Sequence, residues 1–201
     1  MNLNSNKNPK ITIITVVKNN EKYLEENIKS LINQTYQNYE HIIVDGLSTD
    51  KTMDIITRYK NKIHKIISER DNGLYDAINK GIQNASGDII GILNSDDYFY
   101  KDALNIVRKY IESFPDIDFL FGTVFKHKIL HGYKPWKIKW TFGFYTTHSV
   151  GFFIKKSSQW KVGLYNLNYK YSSDYDLFYR MIVKLKMKGM ATKKKRGFRI
   201  F

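Results

Sequence analysis

The sequence predicts an α/β fold, a mainly parallel sheet with helices on both faces. Apolar runs rich in β-branched residues alternate with helical patterns across the first 115 residues, which is typical of such a sheet. The 201 residues, 42% hydrophobic and 26% charged, are enough for one domain with its own core. We expect a disordered N-terminus at 1–9, a single domain at 10–190 divided into halves 10–115 and 116–190, and a basic tail at 191–201.

The first two strands are expected at 11–17 and 41–44, both apolar and rich in β-branched side chains. Between them, apolar residues recur at helical spacing over 24–32. The second strand runs into the polar loop 45–50, whose end can cap a helix with an apolar face over 53–59.

The third and fourth strands are expected at 63–67 and 89–93, with a helix over 74–83 between them. A further helix over 102–113 is closed by Pro115, which cannot continue it. This repeated strand–helix order indicates parallel pairing through crossover connections.

The second half is less regular. Strands are expected at 119–125 and 150–154, and a helix begins at Asp174. The aromatic and basic segment 131–147 between the strands is interpreted as core rather than as a platform for a sugar.

Charge and composition limit the functional classes. The net charge of +14 predicts attraction to an anionic partner, such as nucleic acid, a phospholipid surface or a phosphorylated substrate. The absence of cysteine excludes disulfides and thiolate metal sites. No apolar run is typical of a secretory signal or a spanning helix, so we expect a cytoplasmic protein, with its basic last third able to rest on the inner face of the membrane.

Acidic residues follow three of the predicted strands, at Asp45, Asp71 and the pair Asp96 and Asp97. Ligands of open parallel sheets bind beyond the carboxyl ends of the strands, where these acids are expected to meet. Carboxylate oxygens beside a diphosphate suit Mn²⁺ or Mg²⁺. Taken singly, each acid is also typical of a turn or of a helix start.

Three functional classes that would bind a nucleotide or an anionic partner are less consistent with the sequence. A sugar nucleotidyltransferase or a dinucleotide dehydrogenase is expected to carry a glycine-rich loop after the first strand, but residues 18–23 contain no glycine. A basic module that binds nucleic acid or anionic membrane without catalysis would accommodate the charge. It does not explain acids at the strand ends, which repel a polyanion, so nucleic acid is not the expected partner.

Over nearly its whole length the chain resembles the family 2 glycosyltransferases of the GT-A fold. The resemblance is carried by four groups of segments: ITIITVVKN (11–19) with SLINQT (30–35); YEHIIVDGLSTD (39–50); SERDNGLYDAINKG (68–81) with GD (87–88) and LNSDD (93–97); and HSVGFF (148–153) with SDYDL (173–177). It implies metal-assisted, inverting transfer of a sugar from a nucleoside-diphosphate sugar, with a UDP-sugar favoured, to an acceptor hydroxyl. The implied acceptor is a glycan or lipid-linked precursor.

The resemblance also implies a role for each matching residue. Asp174 is expected to be the general base and Asp96 to hold the metal ion. The remaining expected substrate-binding residues are Thr15, Asp45 and Asp71 near the nucleoside, Asp76, Asn79 and Lys80 near the donor sugar or phosphates, and Asn94, Asp97 and His148.

Three departures from the family pattern bear on these roles. Asn94 stands where the family more often has a first aspartate, which removes one charged metal ligand, and Gly46-Leu47 replaces a frequent Asp-Gly. The chain also ends soon after the Asp174 helix, where relatives usually continue, so we expect either a reduced acceptor side or a shortened form.

Overall fold

The computed structural model describes residues 8–126, 128–130, 132–139, 151–193 and 198–199. Its strands are β1 (Ile11–Val17), β2 (Tyr39–Asp45), β3 (Lys65–Ser68), β4 (Ile89–Ile92), β5 (Tyr98–Phe99), β6 (Phe119–Phe121), β7 (Val124–Lys126), β8 (Lys128–Leu130), β9 (Phe152–Lys155), β10 (Gly189–Ala191) and β11 (Phe198–Arg199). Its α-helices are α1 (Leu24–Ile32), α2 (Thr52–Arg58), α3 (Leu74–Asn84), α4 (Ala103–Ser113), α5 (Lys156–Val162) and α6 (Ser173–Tyr179). Short helical turns cover Lys60–Lys62, Pro135–Lys139 and Arg180–Lys184.

A central sheet of seven strands lies within the described residues, in the order β10-β6-β9-β4-β1-β2-β3. β1 pairs in parallel with β2 and β4, and β2 pairs in parallel with β3. β9 runs antiparallel to both β4 and β6. The mainly parallel sheet predicted from the sequence is therefore confirmed, and the carboxyl ends of β1 to β4 lie at one edge.

Helices cover both faces of this sheet, as predicted. Alternate residues of β1 point to opposite faces, so Ile14 and Val16 pack with α3, whereas Ile11 and Ile13 pack on the side of α1 and α4. α2 joins α1 on that second face, and α6 joins α3 on the first. The two faces are each closed by buried aliphatic and aromatic side chains, which stabilise the sheet from both sides.

A second, smaller sheet has the order β5-β11-β7-β8. β11, which lies within the segment predicted as a basic tail, pairs antiparallel with β5 and parallel with β7. None of the helices in the described parts of the chain has both the length and the apolar character needed to cross a membrane.

A buried carboxylate ties β2 to the start of β4. Glu40 accepts hydrogen bonds from the backbone N–H of Ser86 (2.5 Å) and of Gly87 (3.0 Å), from the Thr12 hydroxyl, and from Lys10 Nζ (3.0 Å). Burial favours the neutral acid, but the hydrogen bonds from Ser86, Thr12 and Lys10 outweigh it and lower the pKa of Glu40 to about 2. Glu40 therefore stabilises the fold as a carboxylate.

We predict an acid-sensitive contribution to stability from Glu40. Its pKa falls from 4.5 to about 2 on folding, so its contribution is complete above pH 4.5 and is lost as the pH falls towards 2. The expected loss is about 2 kcal/mol of unfolding free energy. Urea unfolding at pH 6 and pH 3 should show a smaller difference for Glu40→Gln than for the wild type. Glu26→Gln, at an exposed position of α1, is the control that keeps the wild-type difference.

Candidate active site

The loops that follow β1, β2 and β4 are joined by hydrogen bonds. The Asn19 backbone N–H donates to Ser48 Oγ (2.8 Å), and Asn19 Oδ1 accepts from the Thr49 N–H (2.7 Å). Asn20 Nδ2 donates to Ser95 Oγ (2.8 Å) in the third loop. Asn19 has a φ of 51°, a conformation that asparagine tolerates better than most residues. These contacts bring together the loops 18–20, 46–49 and 94–97, which follow three of the predicted strands, at one edge of the sheet.

Asp45 and Asp71 lie together at the ends of β2 and β3. Asp45 is buried, and its carboxylate accepts from the Ser48 N–H (3.2 Å) and from Ser68 Oγ (2.7 Å). The carboxylate of Asp71 occupies the space that a Cβ at Gly46 would need, so only glycine at position 46 permits this approach. Ser48 and Ser68 thus bind the Asp45 carboxylate within the protein, and its predicted contact with the base or ribose stays a prediction.

The turn after β4, residues 94–97, is held in place by hydrogen bonds from α1. Asn27 Nδ2 donates to the carbonyl oxygens of Asn94 and Asp97, both at 2.8 Å. Asn94 Nδ2 also donates to Asp97 Oδ2 (3.0 Å). Asp97 is buried, whereas Asp96 is exposed. Asp96 is therefore the acid of this turn that a ligand in solution can reach.

We predict that Asn27→Asp loosens this turn. The carboxylate would face two carbonyl oxygens in place of a donor, which is expected to lower the unfolding free energy by about 1–3 kcal/mol. Chemical unfolding measures this loss, and titration with nucleotide should show weaker binding. Ser30, one turn further along α1, donates to the Asn27 carbonyl and accepts from the Phe99 N–H (3.2 Å), which lies beyond the 94–97 turn. Ser30→Ala is therefore the control, and equal losses of nucleotide affinity in both variants would contradict the prediction.

The residues present fit a divalent metal ion only together with a substrate. Among the described residues, no group of three or more His, Cys, Asp or Glu side chains is arranged to hold a metal. Mg²⁺ and Mn²⁺, however, commonly bind one or two carboxylates and complete their coordination with waters and phosphate oxygens. The exposed Asp96 carboxylate, with the Asn94 amide in the same turn, has the chemistry of such a site.

Asp174 lies at the start of α6, near the start of α3. Its Oδ1 accepts from the Tyr175 N–H (2.7 Å), and its carboxylate lies near the Tyr75 hydroxyl. The Tyr75 ring stacks on Tyr165 with centroids 5.4 Å apart. Burial first, and the Asp174 charge second, raise the pKa of Tyr75 to about 12. Tyr75 is thus protonated at neutral pH and able to donate to the Asp174 carboxylate.

The predicted donor-binding residues on α3 have partners within the protein. Asn79 is buried and exchanges two hydrogen bonds, both 2.9 Å, with the backbone of Tyr165. Lys80 Nζ lies 2.9 Å from Glu69 Oε1 and 3.7 Å from Asp76 Oδ2, and the Glu69 carboxylate raises the pKa of Lys80. Asp76 also accepts from the backbone N–H of residue 72 (2.9 Å). These side chains hold the loop 69–73 and the backbone of Tyr165 in place.

Three of the predicted substrate-binding residues are enclosed by the protein, as Asp45 is, and their substrate contacts stay predictions. Thr15 is fully enclosed, with its hydroxyl 2.9 Å from His41 Nε2 and 3.4 Å from Asn27 Oδ1. Asn79 and Asp97 are also buried and bonded within the protein. Through these hydrogen bonds the three side chains hold neighbouring residues in place. His148 lies outside the described residues, so its predicted role is unchanged.

Several supporting residues were not singled out from the sequence. Asn19, Asn20 and Asn27 connect the loops, and Tyr75 lies near Asp174. Asn19 and Tyr75 fall within the segments that carry the family resemblance, which was the available signal.

A mainly parallel sheet with interlocked loops and acids at the carboxyl ends of its strands is typical of α/β proteins that bind their ligands at that edge. Residues 12–168 match the family model "Glycosyl transferase family 2". The chain therefore belongs to glycosyl transferase family 2, and its fold is GT-A.

Similar proteins agree with this assignment. The chain is 36% identical over 103 residues to the putative teichuronic acid biosynthesis glycosyltransferase TuaG of Bacillus subtilis, covering 50% of this chain and 41% of TuaG. The S. aureus TarS 1–349 structure in complex with UDP-GlcNAc matches with a TM-score of 0.78 at 19% identity, over 94% of this chain and 58% of that one. The mannosyltransferase PcManGT from Pyrobaculum calidifontis, in complex with GDP-Man and Mn²⁺, matches with a TM-score of 0.67 at 16% identity, over 94% and 59%. The chain thus spans less than two thirds of each of these relatives.

Proposed function

We propose that the protein transfers a sugar from a nucleoside-diphosphate sugar to an acceptor hydroxyl, with inversion at the anomeric carbon. The observation that carries this proposal is the arrangement at one sheet edge, where interlocked loops present the exposed Asp96 while Asp174 lies beside the start of α3. The UDP-GlcNAc complex of the similar TarS supports a UDP-sugar as the donor.

Asp174 is assigned as the general base of this reaction. An acceptor hydroxyl has a pKa far above neutrality, so its proton must leave as the oxygen attacks the anomeric carbon. The proton passes to the Asp174 carboxylate while the bond between the anomeric carbon and the phosphate oxygen breaks. Tyr75, whose hydroxyl lies near the same carboxylate, is assigned to orient it. Attack opposite to the departing diphosphate inverts the anomeric centre.

Asp96 is assigned as the protein ligand of Mn²⁺ or Mg²⁺, with Asn94 able to contribute an amide oxygen through water. When bound, the ion supplies Lewis-acid stabilisation of the negative charge that grows on the departing diphosphate. Lys80 is assigned to the loop 69–73, since its ammonium is held by Glu69 and by the Arg70 carbonyl (2.6 Å).

The acceptor is proposed to be a lipid-linked or cell-surface glycan precursor, reached at the cytoplasmic face of a membrane. Exposed lysines at 184, 186 and 188 belong to the basic last third of the chain. Each lysine near an anionic surface contributes about 1 kcal/mol of attraction. Sedimentation with vesicles tests this point: equal binding to neutral and anionic vesicles would exclude it.

A thermal-shift screen tests the proposed function directly. UDP, GDP, CDP and dTDP sugars are compared with and without Mn²⁺. We expect one class of nucleotide sugar to raise the Tm, with a larger rise when Mn²⁺ is present. No shift with any nucleotide, together with tight and salt-sensitive binding of RNA, would contradict the proposal and favour a basic binding module.

A further inference from the structure

An open cavity of about 550 Å³ lies beside the start of α3. One wall is formed by residues 72–76, including Tyr75 and Asp76, and the other by Leu167, Tyr169, Lys170 and Tyr171. None of the loops 18–20, 46–49 or 94–97 lines it. The cavity is therefore built from elements different from those that join the loops after β1, β2 and β4.

The walls of this cavity expose large apolar side chains. Tyr171 is 83% exposed, Leu74 52%, Leu167 51% and Tyr169 47%. Exposed apolar residues gathered in one concave surface indicate a binding site rather than ordinary surface composition. Lys170 and Asp76 add charged groups to the same walls.

This mixture of aromatic and polar walls suits a sugar ring. Tyrosine offers a flat apolar face for the C–H face of a pyranose and a hydroxyl for its hydrogen bonds. The ammonium of Lys170, which lies 5.4 Å from the centroid of the Tyr171 ring, can bind ring hydroxyls, whereas a lipid chain would prefer continuous apolar walls. The chemistry of the cavity thus favours a carbohydrate over an acyl chain.

Tyr75 connects the cavity to the start of α6, because it lines the cavity and packs against the same buried cluster as Tyr175, the neighbour of Asp174. Tyr169 also lines a second cavity of about 300 Å³ together with Ser172, Tyr175, Asp176 and Tyr179 on the Asp174 helix. We propose that the larger cavity is the acceptor subsite and holds a sugar ring of a glycan against Tyr169 and Tyr171. This inference rests on the proposed function, because it makes the bound glycan the nucleophile that Asp174 activates.

The test uses ligand-observed saturation-transfer NMR with a panel of methyl glycosides and no nucleotide. We expect at least one methyl glycoside to bind the wild-type chain. The double variant Tyr169→Ala/Tyr171→Ala should weaken this binding by about tenfold, since it removes both aromatic faces. Trp160→Ala is the matched control, because Trp160 is a similarly exposed aromatic residue on α5 that does not line the cavity.

Three outcomes would overturn the acceptor subsite. These are the absence of binding by every glycoside, an equal loss in the Trp160 variant, and a fall in UDP-sugar affinity in the tyrosine double variant. A glycoside that depends on the two tyrosines supports the cavity as a glycan site. If such binding occurs while no nucleotide sugar shifts the Tm, the glycan site stands and the proposed transfer reaction fails.

Discussion

Asp174→Asn is expected to lower kcat for sugar transfer by on the order of 10²–10⁴-fold while donor affinity stays close to that of the wild type. The amide has the shape of the carboxylate and can still accept from the Tyr175 N–H, so the helix start should be preserved. It cannot take the proton of an acceptor hydroxyl, and the loss should therefore fall on the chemical step.

The matched control for this variant is Asp176→Asn. Asp176 lies in the same helical turn, and its Oδ2 accepts from Arg180 Nε (2.8 Å). Arg180 also donates from Nη2 to the Leu164 carbonyl (2.8 Å). Its replacement should cost stability, measured as a lower Tm, with a much smaller effect on kcat. Steady-state transfer assays with donor affinity measured separately decide the question. Near-wild-type kcat in Asp174→Asn would show that another group accepts the proton.

The sequence was sufficient to predict the first four strands because their patterns are local. Buried β-branched runs mark β1, β2 and β4, and parallel pairing then places the residues that follow them at one edge. Strand bounds differ by a few residues; β2, for example, begins at Tyr39 rather than at 41. The smaller sheet was not predicted, because β5 and β11 are two-residue strands whose pairing depends on contacts between distant segments.

The sequence does not show which partners a side chain binds within the protein. Thr15 lies in the correct strand, but alternation turns its hydroxyl towards α1, where His41 and Asn27 enclose it. Asn27 and Asn79 bind backbone groups that are 67 and 86 residues away in the chain, and no local pattern indicates such pairs. The exposed acid Asp96 was identified because the family resemblance includes its position, not because the spacing of acids distinguishes it from the buried Asp97.

Asp96→Asn is expected to lower kcat by about 10²–10³-fold and to remove most of the stimulation by Mn²⁺. The variant loses the charged oxygen that faces solvent in the turn after β4, while the hydrogen bonds from Asn27 that hold this turn use only backbone carbonyls. Asp116→Asn, at an exposed position in the turn before β6, is the control and should keep wild-type Mn²⁺ dependence.

The same assignment predicts that metal and nucleotide each change the affinity of the protein for the other. No described group of acids and histidines forms a preformed metal site, so under the proposed assignment Asp96 would share the ion with the diphosphate. UDP should therefore strengthen Mn²⁺ binding, and by reciprocity Mn²⁺ should strengthen UDP binding by the same factor. Electron paramagnetic resonance titration of Mn²⁺ with and without UDP measures this coupling, which should be absent in Asp96→Asn. Tight Mn²⁺ binding by the wild-type chain without nucleotide would mean that the ion is held by residues other than those assigned here.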